Sequence, residues 1–215
     1  MAVTYAHLQS VGPVTTNPAA FTVTPAAGSY VIIVFTSNDA TVPTIVDSAS
    51  GEWSKIHTSS YYLPYLHLYI RKTISDGSSI TITVTSSSSV KTILAGAVSG
   101  SDGSYSKINS AGYSGGVVTV TSEKTKTSND LFVNFAGAST GSYVNVNFNT
   151  IAGWTAYKIG TGPTQHLCSI IEVRSATAAG QQQVNIGPTL SFGSGSTNNV
   201  IMVFYESYTG WGRPQ

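Results

Sequence analysis

Leu66-His67-Leu68-Tyr69-Ile70-Arg71, followed after the turn signal Asp76-Gly77 by Ile80-Thr81-Ile82-Thr83-Val84-Thr85, decides the fold class. Successive side chains of a strand point to opposite faces, so a period of two marks a sheet. Leu66, Leu68 and Ile70 form one face; His67, Tyr69 and Arg71 form the other. The first face is expected to be buried and the second wet. Working outward, Tyr30-Val-Ile-Ile-Val-Phe35 and Asn199-Val-Ile-Met-Val-Phe-Tyr205 are continuous apolar runs of strand length, as central strands require. Leu131-Phe-Val-Asn-Phe135, Tyr143-Val-Asn-Val-Asn-Phe148, Val90–Val98 and Leu167–Arg174 add further strands. No window of ten or more residues carries a helical period flanked by caps.

Many strands without intervening helices predict an all-β, jelly-roll-like antiparallel β-sandwich with essentially no helix. The expected organisation is an irregular N-terminal arm over 1–20, a β-sandwich over 21–208 and a tail over 209–215. Gly12-Pro13 and Asn17-Pro18 serve as turn signals in the arm. The Gly/Ser-rich stretch 99–116 reads as an ordered surface excursion and marks a possible internal duplication. Trp53 and Trp154 follow their respective apolar runs at similar spacing, and Leu66–Lys72 matches Leu167–Arg174 in position. The absence of a clear linker favours one larger sandwich over two small ones. The expected core is Val31, Ile33, Phe35, Trp53, Leu66, Leu68, Ile70, Ile82, Val84, Val133, Val144, Val146, Trp154 and Val203.

Composition narrows the function. Only 9% of the 215 residues are charged, against about 25% in an average soluble domain. Serine and threonine together number 58 and supply the polar surface. Ten scattered Lys and Arg and a net charge of +1 do not suit a phosphate backbone, so no nucleic-acid partner is expected. The single Cys168 excludes an internal disulfide and a cysteine zinc site. No apolar run reaches membrane-spanning length, and the N-terminus does not resemble a signal peptide.

The chemistry-bearing residues fall into no constellation. His7, His57, His67 and His166 show no metal-ligand spacing. Cys168 lies two residues from His166, yet no third group orients the imidazole. Glu172 and Glu206 are the carboxylates best placed for a glycosidase pair. Asp47, Glu52 and Asp102 flank turns without a calcium-loop pattern. The expectation is no catalytic residue, cofactor or metal. Tyr61, Tyr62, Tyr65 and Tyr69 crowd one strand, and tyrosine, rigid and half polar, suits a subunit interface or a sugar ring.

Several of these segments together resemble a β-sandwich family of bacteriophage virion proteins and bacterial surface proteins. They are Thr22-Val-Thr-Pro25, the apolar strand 31–35, Asp47-Ser-Ala-Ser-Gly-Glu-Trp53, Leu66–Arg71 and Thr81-Ile-Thr-Val-Thr85, with Gly153-Trp154 and Glu172-Val173-Arg174 later on. The family often has Asp-Ser-x-Gly-Asn before the tryptophan; here one residue is added and Glu52 replaces the asparagine. The resemblance spans residues 20 to 206 and implies a jelly-roll-like architecture with a structural or adhesive role. The expectation is therefore a non-enzymatic structural protein of a virus particle: a surface decoration, spike or tail component. It would work as a homo-oligomer or bound to other virion proteins, with a host-surface glycan as a further candidate partner. The alternatives are a carbohydrate-binding or adhesion module at a cell surface, and a glycan-cleaving enzyme.

Overall fold

A computed structural model describes residues 1–59, 64–88, 90–112, 119–139, 152–160, 167–186 and 196–207. Among them the protein is all-β and antiparallel, with no helix. The first half contains β1 (Thr4–Val14), β2 (Ala19–Val23), β3 (Tyr30–Ser37), β4 (Thr44–Asp47), β5 (Trp53–Thr58), β6 (Tyr65–Arg71), β7 (Ile80–Thr85) and β8 (Lys91–Ser99). The second contains β9 (Ser101–Gly112), β10 (Thr119–Thr121), β11 (Leu131–Ser139), β12 (Thr155–Ile159), β13 (Leu167–Ser175), β14 (Val184–Ile186) and β15 (Ser196–Glu206).

The strand order occurs twice. One five-stranded sheet runs β1-β8-β3-β6-β5, and the other, read from its far edge, runs β9-β15-β11-β13-β12. A three-stranded sheet, β2-β7-β4, accompanies the first; the pair β10-β14 accompanies the second. Registers align the copies residue by residue. Ile32 lies opposite Ile70 and Gly96, and Val133 lies opposite Val173 and Met202. Arg71 thus corresponds to Arg174, and Tyr5, opposite Val98, to Tyr105, opposite Phe204. Only Gly100 separates β8 from β9, so no linker stands in the sequence. Its φ of 78° and the backbone of Met1 and Ala2 packed against it leave no room for a side chain.

Sheets stack in layers because the inner strands of the five-stranded sheets, β3, β8 and β11 among them, are buried on both faces. Ile32, Val34, Leu68 and Leu94 of the first sheet meet Val133, Phe135, Ile171, Val200 and Met202 of the second in one core. Val31, Ile33, Phe35 and Ile93 turn the other way and meet Phe21, Ile45, Ile82 and Val84 of the three-stranded sheet. The outer face of the second sheet carries Phe132, Trp154, Ile201 and Val203 in one cluster and Ala136, Ala138, Cys168 and Ile170 in another. β3 and β11 run in the same direction across the central interface. Ser169 bonds Thr36 at 2.7 Å and Thr92 at 2.5 Å, and Ser139 bonds Asn38 at 3.2 Å.

Three expectations change. The second face of β6 is not wet: His67, Tyr69 and Arg71 are buried, because layers lie on both sides of its sheet. Residues 1–20 are not an irregular arm. β1 pairs with β8 and β2 with β7, and Gly12-Pro13 sits at a register shift inside β1 rather than in a turn. Stretch 99–116 is largely the edge strand β9, paired with β15. β7 is central in its own sheet, bonded to β2 and β4. Of the expected core, Trp53 is only half-buried, and Val144 and Val146 lie outside the described residues; the others are buried.

Candidate functional site

Two of the four tyrosines of the expected cluster, Tyr65 and Tyr69, are among the described residues. Tyr61 and Tyr62 lie outside the described residues. Tyr65 opens β6 half-buried. Tyr69 points into the core between the first two layers, and its hydroxyl donates to Pro43 O at 2.7 Å. Burial raises the Tyr69 phenol to about 12.

Carboxylates chiefly hold turns. Asp39, Asp47, Asp76 and Asp102 each accept from the backbone N–H two residues on, at 2.8–3.0 Å. Asp130 accepts from the N–H groups of Lys126, Thr127 and Glu206, and so joins the turn before β11 to the end of β15. Glu206 takes the terminal ammonium of Met1 at 2.7 Å and the Asn129 amide at 2.9 Å. Glu172 is buried in β13 and accepts from Asn134 Nδ2 at 3.0 Å. Glu172 and Glu206 are not brought together: Glu172 lies opposite Asn134 inside β11, whereas Glu206 lies past the Leu131–Phe204 pair at its end.

Asp47 is the centre of the densest polar network. It accepts from the Ala49 and Gly51 N–H groups at 2.9 and 3.0 Å, from Trp53 Nε1 at 2.9 Å and from Arg71 Nε at 2.8 Å. Its side chain is 0% exposed and that of Arg71 5%. Burial alone would raise the Asp47 carboxyl, but the bonds from Arg71, Gly51 and Trp53 outweigh it and hold the carboxyl below the ordinary range.

His67 and Cys168 are likewise internal, while His7 and His57 are half-buried. His67 is buried against Phe35, with Nδ1 3.2 Å from Thr58 Oγ1. Burial, with nearby Lys55, lowers it to about 4; burial, with Lys107 and His67, does the same to His57. Burial pushes the Cys168 thiol far up, so it stays protonated at neutral pH. His166 lies outside the described residues. Among the described residues no group of three or more His, Cys, Asp or Glu could hold a metal ion, and no helix is long and apolar enough to cross a membrane.

Among the described residues, two clefts are related by the repeated strand order. The first, of about 250 Å³, is lined by Tyr30, Ser54, Ile70, Arg71, Asp102 and Tyr105, among others. The second, of about 320 Å³, is lined by Leu131, Thr155, Val173, Arg174, Tyr5 and Tyr157, among others. Tyr30 corresponds to Leu131, Ser54 to Thr155, Ile70 to Val173, Arg71 to Arg174 and Tyr105 to Tyr5. Each cleft takes its walls from both halves and opens at the end of the stack where β3 and β11 begin. Sequence reading missed both, because the partners of each arginine lie far apart along the chain. The available signal was the matched position of Leu66–Lys72 and Leu167–Arg174.

Comparison with protein-family models, with curated proteins and with solved structures returns no match for the chain.

Proposed function

We propose that the protein is a non-catalytic structural component of a virus particle, displayed on its outer surface as a decoration, spike or tail part. The supporting observation is the repeated strand order. In the first half β1-β8-β3-β6 faces β2-β7-β4, an order we read as that of a jelly roll whose remaining strand, β5, pairs at the edge of the first sheet. Jelly rolls recur in viral capsid and lectin domains, so the link from this order to a virion role is one of analogy. The carboxylates fit the same reading: they brace turns, as a rigid building block requires.

The proposal includes assembly, as a homo-oligomer or against other virion proteins. Strands β1, β5, β9 and β12 are edges of the five-stranded sheets, and an edge presents unpaired backbone groups. With few charges to blunt such edges, a partner is the simplest cover. The test is to purify intact particles from the source by density gradient, probe them with antibody against this chain under the electron microscope, and sediment the isolated protein. Label on the particle surface is expected. Particles that lack the chain, together with a monomer that does not bind them, would sink the proposal.

A further inference from the structure

The duplication supplies an internal comparison that points to a ligand. At the first cleft the arginine is neutralised: Arg71 is paired to Asp47, and neighbouring Lys72 to Glu52 at 2.5 Å. The second cleft has lost these carboxylates. No Asp or Glu occurs between Asp130 and Glu172, so nothing in that segment can play the part of Asp47. Gly153 stands where the first copy has Glu52, beside the Arg174 guanidinium, and Ser175 stands where it has Lys72. Arg174 donates to a neutral amide, Gln183 Oε1, at 3.1 Å, and among the described residues it has no ion pair. The carboxylate closest to it in sequence, Glu172, is buried and bound to Asn134.

We propose that this second cleft binds an acidic monosaccharide unit, with the ligand carboxylate on Arg174. A guanidinium matches a carboxylate in shape, and a charge-assisted bond at a partly enclosed site is stronger than a neutral one. The walls define the rest. The ring of Tyr157 and the half-buried Val173 offer a small apolar surface to the C–H face of a sugar, Leu131 being buried, and Thr155 at the rim offers a hydroxyl. His7 stacks on Tyr157 at 4.7 Å and 13°, which fixes that ring in place. A volume of about 320 Å³ sits at the low end of small-molecule pockets and suits one sugar ring. A lone phosphate would gain nothing from the Tyr157 ring and would find one cation where it needs several donors. This site is independent of the particle-surface proposal, and its failure would leave that proposal standing.

The test is a nuclear magnetic resonance titration of the full chain with glucuronate, with glucose and acetate as separate arms. Saturable shifts around Val173, Arg174 and Thr155 are expected with glucuronate at millimolar concentrations, and much weaker ones with the other two. Arg174→Gln should weaken glucuronate binding at least about tenfold, the scale of a lost charge-assisted bond. Thr155 is exposed, so Thr155→Glu tests the same charge logic without touching the core: it should abolish binding, and Thr155→Gln should retain it. No saturation by glucuronate, equal binding of acetate, or indifference to both Arg174→Gln and Thr155→Glu overturns the assignment.

Discussion

Replacing Asp47 with alanine tests the central electrostatic claim. The carboxylate holds four donors within 3.0 Å: two backbone N–H groups of its own turn, the Trp53 indole and the Arg71 guanidinium. Removing one partner of a buried ion pair costs about 3–5 kcal/mol, because the other charge stays buried and uncompensated. Arg71 keeps one further bond, to Thr73 O at 3.1 Å, which places the expectation at the lower end of that range. Asp47→Asn retains acceptor capacity and loses the charge, so it should cost less, about 1–3 kcal/mol. Urea denaturation of the three proteins at pH 7, extrapolated linearly, measures both differences. The pH dependence gives a second readout. The carboxyl titrates below its unfolded value of 3.8, so its stabilisation is full above that value and is lost as pH falls through the lower folded value. Asp47→Asn should remove that part of the acid sensitivity. A loss below about 1 kcal/mol for Asp47→Ala, the level of an exposed pair, refutes the reading of a buried, obligatory pair.

Other outcomes follow from the packing. His57 and His67 are neutral in the fold and titrate near 4 against 6.5 unfolded, so stability should fall as pH drops from 6.5 toward 4, before the carboxylates protonate; imidazole resonances titrating near 6.5 would contradict this. A side chain at Gly96 would run into the Tyr5 phenol, so Gly96→Val should lower stability by about 1–3 kcal/mol in the same denaturation assay. Tyr5→Phe should be close to neutral, since among the described residues the buried Tyr5 hydroxyl has no hydrogen-bond partner, and a large loss would show that it has one. Trp154 is 8% exposed and packs on Phe132, so Trp154→Ala should cost about 3–5 kcal/mol, and more than Trp53→Ala at its half-buried position.

Strands were legible wherever local pattern carried the information. The apolar runs at 30–35 and 199–205 and the alternation at 66–71 and 80–85 all form strands. What local pattern could not carry was the neighbour on the far side. The row His67, Tyr69, Arg71 looks like a solvated face, and only the presence of another layer makes it interior; Arg71 is tolerable there because Asp47, far away in sequence, meets it. β1 and β9 escaped notice because an edge strand half-covered by a neighbouring sheet needs no strict alternation, and the Gly12-Pro13 irregularity disguises β1 further. The clefts were invisible for a related reason, since each joins the end of one copy's sheet to the first strand of the other.

The central interface decides what one copy of the repeated strand order could do alone. A single copy of the repeat would carry Ile32, Val34, Leu68 and Leu94 on an open sheet face, with nothing of its own to cover them. Such a face is not stable in water and drives association with a second copy about a two-fold axis. The present stack has the form of that homodimer within one polypeptide, with Gly100 alone between the two sets of strands. A single polypeptide is also free of enforced symmetry. In a true dimer any substitution appears at both clefts, whereas in the single chain one arginine could keep its aspartate and the other lose it, leaving one pseudo-protomer as scaffold and the other free to specialise.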